Sequence, residues 1–284
     1  MKAVLYPNFQ KINALNCARE ACEVLHSAGI EVSVSGEFRA DFADKDFVLF
    51  EDIAVSAKTA DFVIAIGGDG TILRCAKFLM GTDTKLLGIN TGTLGFMAGL
   101  EADQLDKLRL LTAGEYEISQ RMTLDITYHG NRGDEVYTAL NEASARSGSF
   151  RICDFEVYSE GYLVGRYRAD GVLFSTPSGS TAYALSTGGP IIEPDLECIE
   201  MTLICPHSLF SRATLFSAGK HLRLTNKSAN GDCMVVNVDG ALNIKLGEND
   251  SIDICRGRNN INFINLIGNS FHESLCRKLC RPIK

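Results

Sequence analysis

Five consecutive apolar residues, Phe62-Val63-Ile64-Ala65-Ile66, run straight into Gly67-Gly68-Asp69-Gly70-Thr71, and the chain then takes up amphipathic helical spacing as far as Met80. An unbroken apolar run of that length reads as a strand buried on both faces, and strand, glycine turn and helix in succession make the βαβ rhythm of a parallel sheet. The rhythm is already present upstream, with Ala3 to Tyr6 apolar, Asn13 to Ser27 helical in spacing, Gly29 as a stop and Ile30 to Val34 as the next strand. It returns in Leu86-Leu87-Gly88-Ile89, a second buried strand that ends in Asn90-Thr91-Gly92-Thr93-Leu94-Gly95-Phe96. Between these units the stretch from Gly36 to Thr59 interleaves acids with phenylalanines, follows neither period and reads as a mobile loop.

Beyond a helical stretch at Asp103 to Leu111 and a stop at Gly114, the period changes. Short alternating strands follow at Tyr116 to Tyr128, Glu135 to Leu140, Asp154 to Ser159, Tyr162 to Tyr167 and Gly171 to Ser175, separated by Gly130-Asn131-Arg132-Gly133 and Glu160-Gly161. More come at Met201 to Cys205, Leu222 to Asn226, Met234 to Val238, Ala241 to Leu246 and Ser251 to Cys255. Ser270 to Leu279 returns to helical spacing, so the expected division is an α/β domain of residues 1–115 plus 268–284 and a β-rich domain of residues 116–267.

The glycine turn lies at the carboxyl end of its strand, where open α/β sheets bind ligands. Glycines let a polyanion approach the backbone, and the first amides of the following helix offer donors to phosphate. Asp69 is the odd member, because its charge repels phosphate: it can share a metal ion with phosphate, accept a proton from an attacking hydroxyl, or merely close an Asx turn. The loop is not a Walker A sequence, which needs a lysine after the last glycine, and Leu73 breaks the dinucleotide fingerprint. Arg74, one turn into the helix, is a phosphate contact or a solvated arginine. A net charge of -7 argues against sequence-independent nucleic-acid binding, so phosphate must be gripped locally. No apolar run is long enough to cross a bilayer and the first residues are too short a run for a signal peptide, which points to a cytoplasmic protein without a membrane partner. The ten cysteines are scattered through strand-like and helix-like segments and read as reduced, packed thiols.

A second dense set runs from Asp170-Gly171 through Ser178-Gly179-Ser180-Thr181-Ala182-Tyr183 to Ser186 and Gly188-Gly189-Pro190, a buried strand feeding a loop of hydroxyls and exposed amides suited to ribose and phosphate oxygens. Ser180 or Thr181 is placed to cap a short helix there. Asn141-Glu142 ends the strand beginning at Glu135, within small and apolar neighbours, where a carboxylate can accept two ribose hydroxyls; alone, the pair reads better as a solvent-facing turn.

In this order the four segments, Gly67 to Thr71, Asn90 to Phe96, Asn141-Glu142 and Asp170 to Pro190, resemble the NAD kinase family over nearly the whole chain. The resemblance implies transfer of the γ-phosphate of ATP to the 2′-hydroxyl of the adenosine ribose of NAD, with a divalent metal, commonly magnesium, and assembly as a homodimer or homotetramer. It implies an N-terminal three-layer α/β domain with a mostly parallel sheet and a C-terminal all-β, sandwich-like, dinucleotide-binding domain, with the site in the crevice between them. Carried over by residue, Asp69 is similar to the catalytic base and, with Gly70, to a dinucleotide contact; Asn141 and Glu142 are similar to ribose ligands, and Asp170 to a ligand of the second half of NAD. Thr181, Ala182, Tyr183 and Ser186 resemble the loop around a nucleotide base, while Arg74, Arg151 and Arg168 stand where relatives carry basic or polar contacts. Val238-Asp239-Gly240 matches a family turn, but Ala241 replaces a common glutamine. Two rivals stand beside this reading: a lipid or sugar kinase sharing the Gly-Gly-Asp-Gly loop, and a dinucleotide sensor without chemistry.

Overall fold

A computed structural model describes residues 1–8, 10, 12–92, 95–130, 133–149, 151–208, 211–228, 233–268 and 271–279. The chain forms two compact units, one of Met1–Gln120 with Ile261–Lys284, the other of Arg121–Asn260. Among the described residues no helix is long and apolar enough to cross a membrane, and the described cysteines are all free.

The first unit is built on one sheet in the order Val48–Glu51, Glu31–Ser35, Lys2–Pro7, Phe62–Gly67, Lys85–Asn90, Ile261–Asn265, Glu117–Arg121, with Leu100–Glu101 beside the end of Lys85–Asn90. Pairing is parallel from Val48–Glu51 across to Ile261–Asn265. Phe62, Ile64 and Ile66 share a core with Leu87 and Ile89 and with the helix Ile12–Ser27, which buries Ala14, Cys17, Ala18, Ala21, Cys22 and Leu25 at intervals of three and four residues. Gly29, at φ +77°, closes that helix in the left-handed conformation that glycine adopts without penalty. Gly88 faces the opposite way, and a β-carbon there would fall on Ile72 of the helix Asp69–Ala76. Helices therefore cover both faces of the sheet, which makes three layers.

The stretch expected to be a mobile loop is ordered structure. Phe42 is fully buried, Val48–Glu51 adds an edge strand to Glu31–Ser35, and Asp52 caps the turn Ile53–Ser56 by accepting from the Ala54 amide at 2.8 Å. Its pattern is faint because an edge strand of four residues buries little: only Val48 is fully inside.

The second unit is antiparallel, in the order Leu242–Leu246, Met234–Val238, Glu142–Ser147, Tyr162–Ser175, Cys153–Ser159, Leu222–Asn226, Ser251–Arg256, Leu124–Gly130, Gly133–Ala139, with Cys198–Pro206 and Thr214–Ser217 joined along Tyr162–Ser175. Residues from both ends of this path, Ile244 and Leu246 at one and Leu124 and Ala139 at the other, belong to one core with Phe155, Val172 and Phe174. The sheet is thus curled so that its two ends share an interior, the sandwich-like arrangement expected.

Several expected boundaries are corrected. Glu117–Arg121 and Ile261–Asn265 belong to the first sheet, not to the β-rich domain, so the units divide at 120/121 and 260/261 rather than at 115/116 and 267/268. Tyr162 to Ser175 is one strand of 14 residues, and Glu142 opens the strand Glu142–Ser147 instead of closing the one before it. Thr93, Leu94, Asn131, Arg132 and Ser270 lie outside the described residues; the closing helix is described as Phe271–Leu279.

Candidate active site

The winding of the first sheet reverses between two adjacent strands. Lys2–Pro7 leads through its helix to Glu31–Ser35 on one side, and Phe62–Gly67 leads through Asp69–Ala76 to Lys85–Asn90 on the other, which puts the glycine loop at a topological switch point. Both ends are stitched together there: the Asn8 amide donates to Ile66 O at 2.8 Å, and the Thr91 amide to Gly67 O at 3.2 Å. Gly67 is needed for this approach, since a β-carbon would stand 2.9 Å from Thr71 Cβ and 3.2 Å from Asn8 Cβ. Gly68 caps the helix, so Asp69 and Gly70 are its first residues and their amides keep the donors and partial positive charge of a helix start.

The Asp69 carboxylate is held by the other motif of this unit. Its oxygens accept from the Phe96 amide at 3.0 Å and the Met97 amide at 3.2 Å. Gly95 makes this possible, because a β-carbon there would fall on the carboxylate itself. Asn90, buried, secures the start of the same segment by donating to Glu101 Oε2 at 2.9 Å and accepting from the Gly92 amide at 3.2 Å. Two segments linked in the sequence only by their resemblance are thus one device, in which the second fixes the acid of the first. Arg74 lies exposed on the Asp69–Ala76 helix. A cleft of about 530 Å³ opens at this edge of the sheet, lined by Asn13, Asn16, Glu20, Asn90 and Glu101 among others.

In the second unit Asn141 is buried and Glu142 half-buried. Their backbone is gripped by Asp239, whose carboxylate accepts from the amides of Leu140 at 2.8 Å, Asn141 at 2.9 Å and Glu142 at 3.1 Å. Asp239 and Gly240, at φ +47° and +72°, are the central residues of a turn closed by the Ala241 amide donating to Val238 O at 3.0 Å, within the three-residue connection between Met234–Val238 and Leu242–Leu246. On the other side Thr176 donates through its amide to Asn141 O at 2.9 Å and through its hydroxyl to Leu140 O at 2.6 Å. Gly179 lies so close to the Asn141 carbonyl that any side chain would clash. Asn141 Oδ1 and Glu142 Oε2 are buried without a partner among the described residues, a state few buried polar atoms keep. Burial, then the charge of Asp239, pushes the Glu142 carboxyl up to about 7, while the Tyr183 backbone amide opposes the rise.

The loop over this pair departs from expectation. Neither Ser180 nor Thr181 caps a helix: the Ser180 hydroxyl donates to Pro177 O and accepts from the Ile192 amide, and the Thr181 hydroxyl donates to Ser178 O. Ala182 stands at the cap of the turn Tyr183–Ser186, because the preceding residues Gly179–Thr181 already form a tight 3₁₀ turn that consumes both hydroxyls. Tyr183 packs on Leu173, Ala184 and Ile204, and Ser186 is exposed. Arg151, Arg168 and Asp170 are exposed as well, Arg168 lying 3.7 Å from Asp154.

One acid escaped the reading of the sequence. Glu200 is fully buried on Cys198–Pro206, directly across Ser175 from Glu142 in the register of three adjacent strands. It accepts from the Thr202 hydroxyl at 3.0 Å, lies against Gly189, and is pushed up to about 7 by burial. Its one signal was a charge inside the apolar run Ile199 to Leu203.

A helix start with a fixed carboxylate in one unit, and buried polar acceptors under a hydroxyl-rich loop in the other, each suit a phosphotransferase that acts on an alcohol group. The family model for the ATP-NAD kinase N-terminal domain matches residues 4–116 and that for the C-terminal domain residues 140–266. The chain is 36% identical over 225 residues to the NAD kinase of Geobacter metallireducens, covering 78% of each. It is similar to two solved structures. One is yeast NADH kinase complexed with NADH, at a TM-score of 0.89 and 22% identity over 100% of this chain and 90% of that one. The other is an NAD kinase from Archaeoglobus fulgidus in complex with ATP, at a TM-score of 0.73 and 25% identity over 96% and 98%. The chain belongs to the NAD kinase family.

Proposed function

We propose that the chain transfers the γ-phosphate of ATP to the 2′-hydroxyl of the adenosine ribose of NAD, with Asp69 as the base that takes the hydroxyl proton. The observation that carries the reading is the Asp69 carboxylate, fixed by the Phe96 and Met97 amides at the start of a helix whose amides suit phosphate. A ribose hydroxyl is a weak nucleophile at neutral pH, so it needs an aligned base and neutralisation of the charge gathering on the transferred group. Asp69 serves the first need. The helix-start amides around Gly70 serve the second, with Arg74 as a further contact.

The acceptors Asn141 Oδ1 and Glu142 Oε2 take the ribose hydroxyls, Asp170 meets the second half of NAD, and Thr181, Ala182, Tyr183 and Ser186 enclose a base; Arg151 and Arg168 add polar contacts. Magnesium fits as a companion of the ATP phosphates, since it retains waters and phosphate oxygens as ligands and does not require an all-protein cage. Among the described residues no group of three or more histidine, cysteine, aspartate or glutamate side chains could hold a metal ion alone. When bound, magnesium would offset phosphate charge. The protein works in the cytoplasm as a homodimer or homotetramer.

The test is incubation with ATP, magnesium and NAD, with NADP measured by an enzymatic cycle specific for it. NADP forms, and Asp69→Asn lowers turnover by about 10²–10⁴-fold while NAD binding persists. Near-native turnover in that variant refutes the base, and NAD binding without product in the native protein refutes the kinase reading in favour of a sensor.

A further inference from the structure

The glycine loop asks an anion to settle beside an anion, so the charge of Asp69 has to be offset by more than two amides if phosphate is to approach. The structure supplies a cation from far along the chain. Lys278, near the end of the helix Phe271–Leu279, brings its ammonium to 3.7 Å from Asp69 Oδ2. The same ammonium stands over the Phe96 ring, 4.0 Å from its centre, and the Phe96 amide donates to that same oxygen, Asp69 Oδ2, while the Met97 amide holds Oδ1. Phe271, seven positions earlier and so on the same face of the helix, meets the Phe96 ring at 6.4 Å between centres. The closing helix is therefore seated on Phe96 at two points, and that seating is what delivers Lys278 to the carboxylate.

We infer that Lys278 is a positioning residue of the phosphoryl-transfer site: its ammonium fixes the Asp69 carboxylate and offsets its charge, so that the phosphate donor can lie beside the base. The inference rests on the reading of Asp69 as that base. Its chemistry is ion pairing without a covalent step, and it acts in concert with the amides of Phe96 and Met97. Removing the charge should weaken turnover more than NAD binding, because the ammonium pairs with the base through which the hydroxyl proton leaves.

The experiment compares the native protein with Lys278→Met and Lys278→Arg in the NADP-forming assay, with kcat and KM for each substrate and thermal melting of each variant. Lys278→Met keeps the aliphatic stem over Phe96 and should lose about 10²-fold in kcat with KM for NAD little changed. Lys278→Arg, which retains the charge, should restore at least about a tenth of native kcat. A role limited to packing predicts the opposite split: lowered melting, with kcat alike in both variants. Lys278→Met within about twofold of native kcat/KM overturns the inference while leaving the kinase reading intact; absence of NADP from the native protein defeats the reading beneath it. Should Lys278→Met fail to fold, Lys278→Gln replaces it, and equal kcat in the Gln and Arg variants overturns the charge role.

Discussion

Replacing Glu200 by glutamine should remove a pH dependence from the stability of the protein. Glu200 is fully buried, has Oε2 without a partner among the described residues, and is held with its carboxyl raised from 4.5 to about 7. Because the folded state binds the proton more tightly than the unfolded chain, the contribution of Glu200 to stability is complete below about pH 4.5 and is lost as pH rises through about 7. At about 1.4 kcal/mol per pH unit, that interval corresponds to about 3.5 kcal/mol in full, of which about 2.5 kcal/mol falls between pH 5 and pH 8. Glutamine keeps an acceptor for the Thr202 hydroxyl and nearly the same shape against Gly189, but does not ionise. Urea unfolding of native protein and Glu200→Gln at pH 5 and pH 8, followed by circular dichroism, isolates the effect, since Glu142 is present in both and cancels. The variant should gain about 2.5 kcal/mol relative to native protein between the two conditions. A stability difference equal at both pH values, within about 0.5 kcal/mol, would refute the argument that burial keeps this acid protonated.

Three further outcomes follow from the site. Gly95→Ala places a methyl group on the Asp69 carboxylate, so NADP formation should fall about 10²-fold with the melting temperature much less affected; a fully active variant would show that the acid tolerates displacement. Asp239→Asn halves the acceptor capacity facing three amides and should cost about 2 to 4 kcal/mol in urea unfolding while raising KM for NAD. The Glu142 carboxyl, raised to about 7, accepts ribose hydroxyls best when ionised, so KM for NAD should fall as pH rises through about 7 in native protein and stay flat in Glu142→Gln; a native KM independent of pH between 6 and 8 would contradict that role.

The parts of this fold that the chain announces locally were legible, and those that depend on distant partners were not. The run Phe62 to Ile66 is buried at every position, so a double-sided strand followed by a glycine turn could be read without knowing its neighbours. Ile261–Asn265 also has the apolar character of a strand, but nothing local says that it joins Lys85–Asn90 rather than the β-rich unit, because alternation reports burial and not membership. Val48–Glu51 was hidden by its place on an edge. In the site, Asp69 stood out because an acid between phosphate-binding glycines demands a reason. Asp239 did not: its carboxylate serves amides 97 to 99 residues away, while in the sequence it is an ordinary Asp-Gly turn. Glu200 stood just before the expected strand Met201 to Cys205, and its burial depends on Gly189 lying against its carboxylate.

The adjacency of Glu117–Arg121 and Ile261–Asn265 in the first sheet also bears on the order in which the protein can be made. Residues 121–260 are an insertion whose two ends are joined to neighbouring strands, about 4.8 Å apart as strands in a sheet are spaced. On a ribosome working from the amino end, Gly67 to Thr71 emerges early, yet the sheet beneath it lacks an interior strand until the whole insertion has been synthesised. Lys278 comes later still. The nascent chain thus carries Asp69 without its ammonium partner until the second unit has had time to fold, and a helix made after the insertion completes the surroundings of a residue made before it.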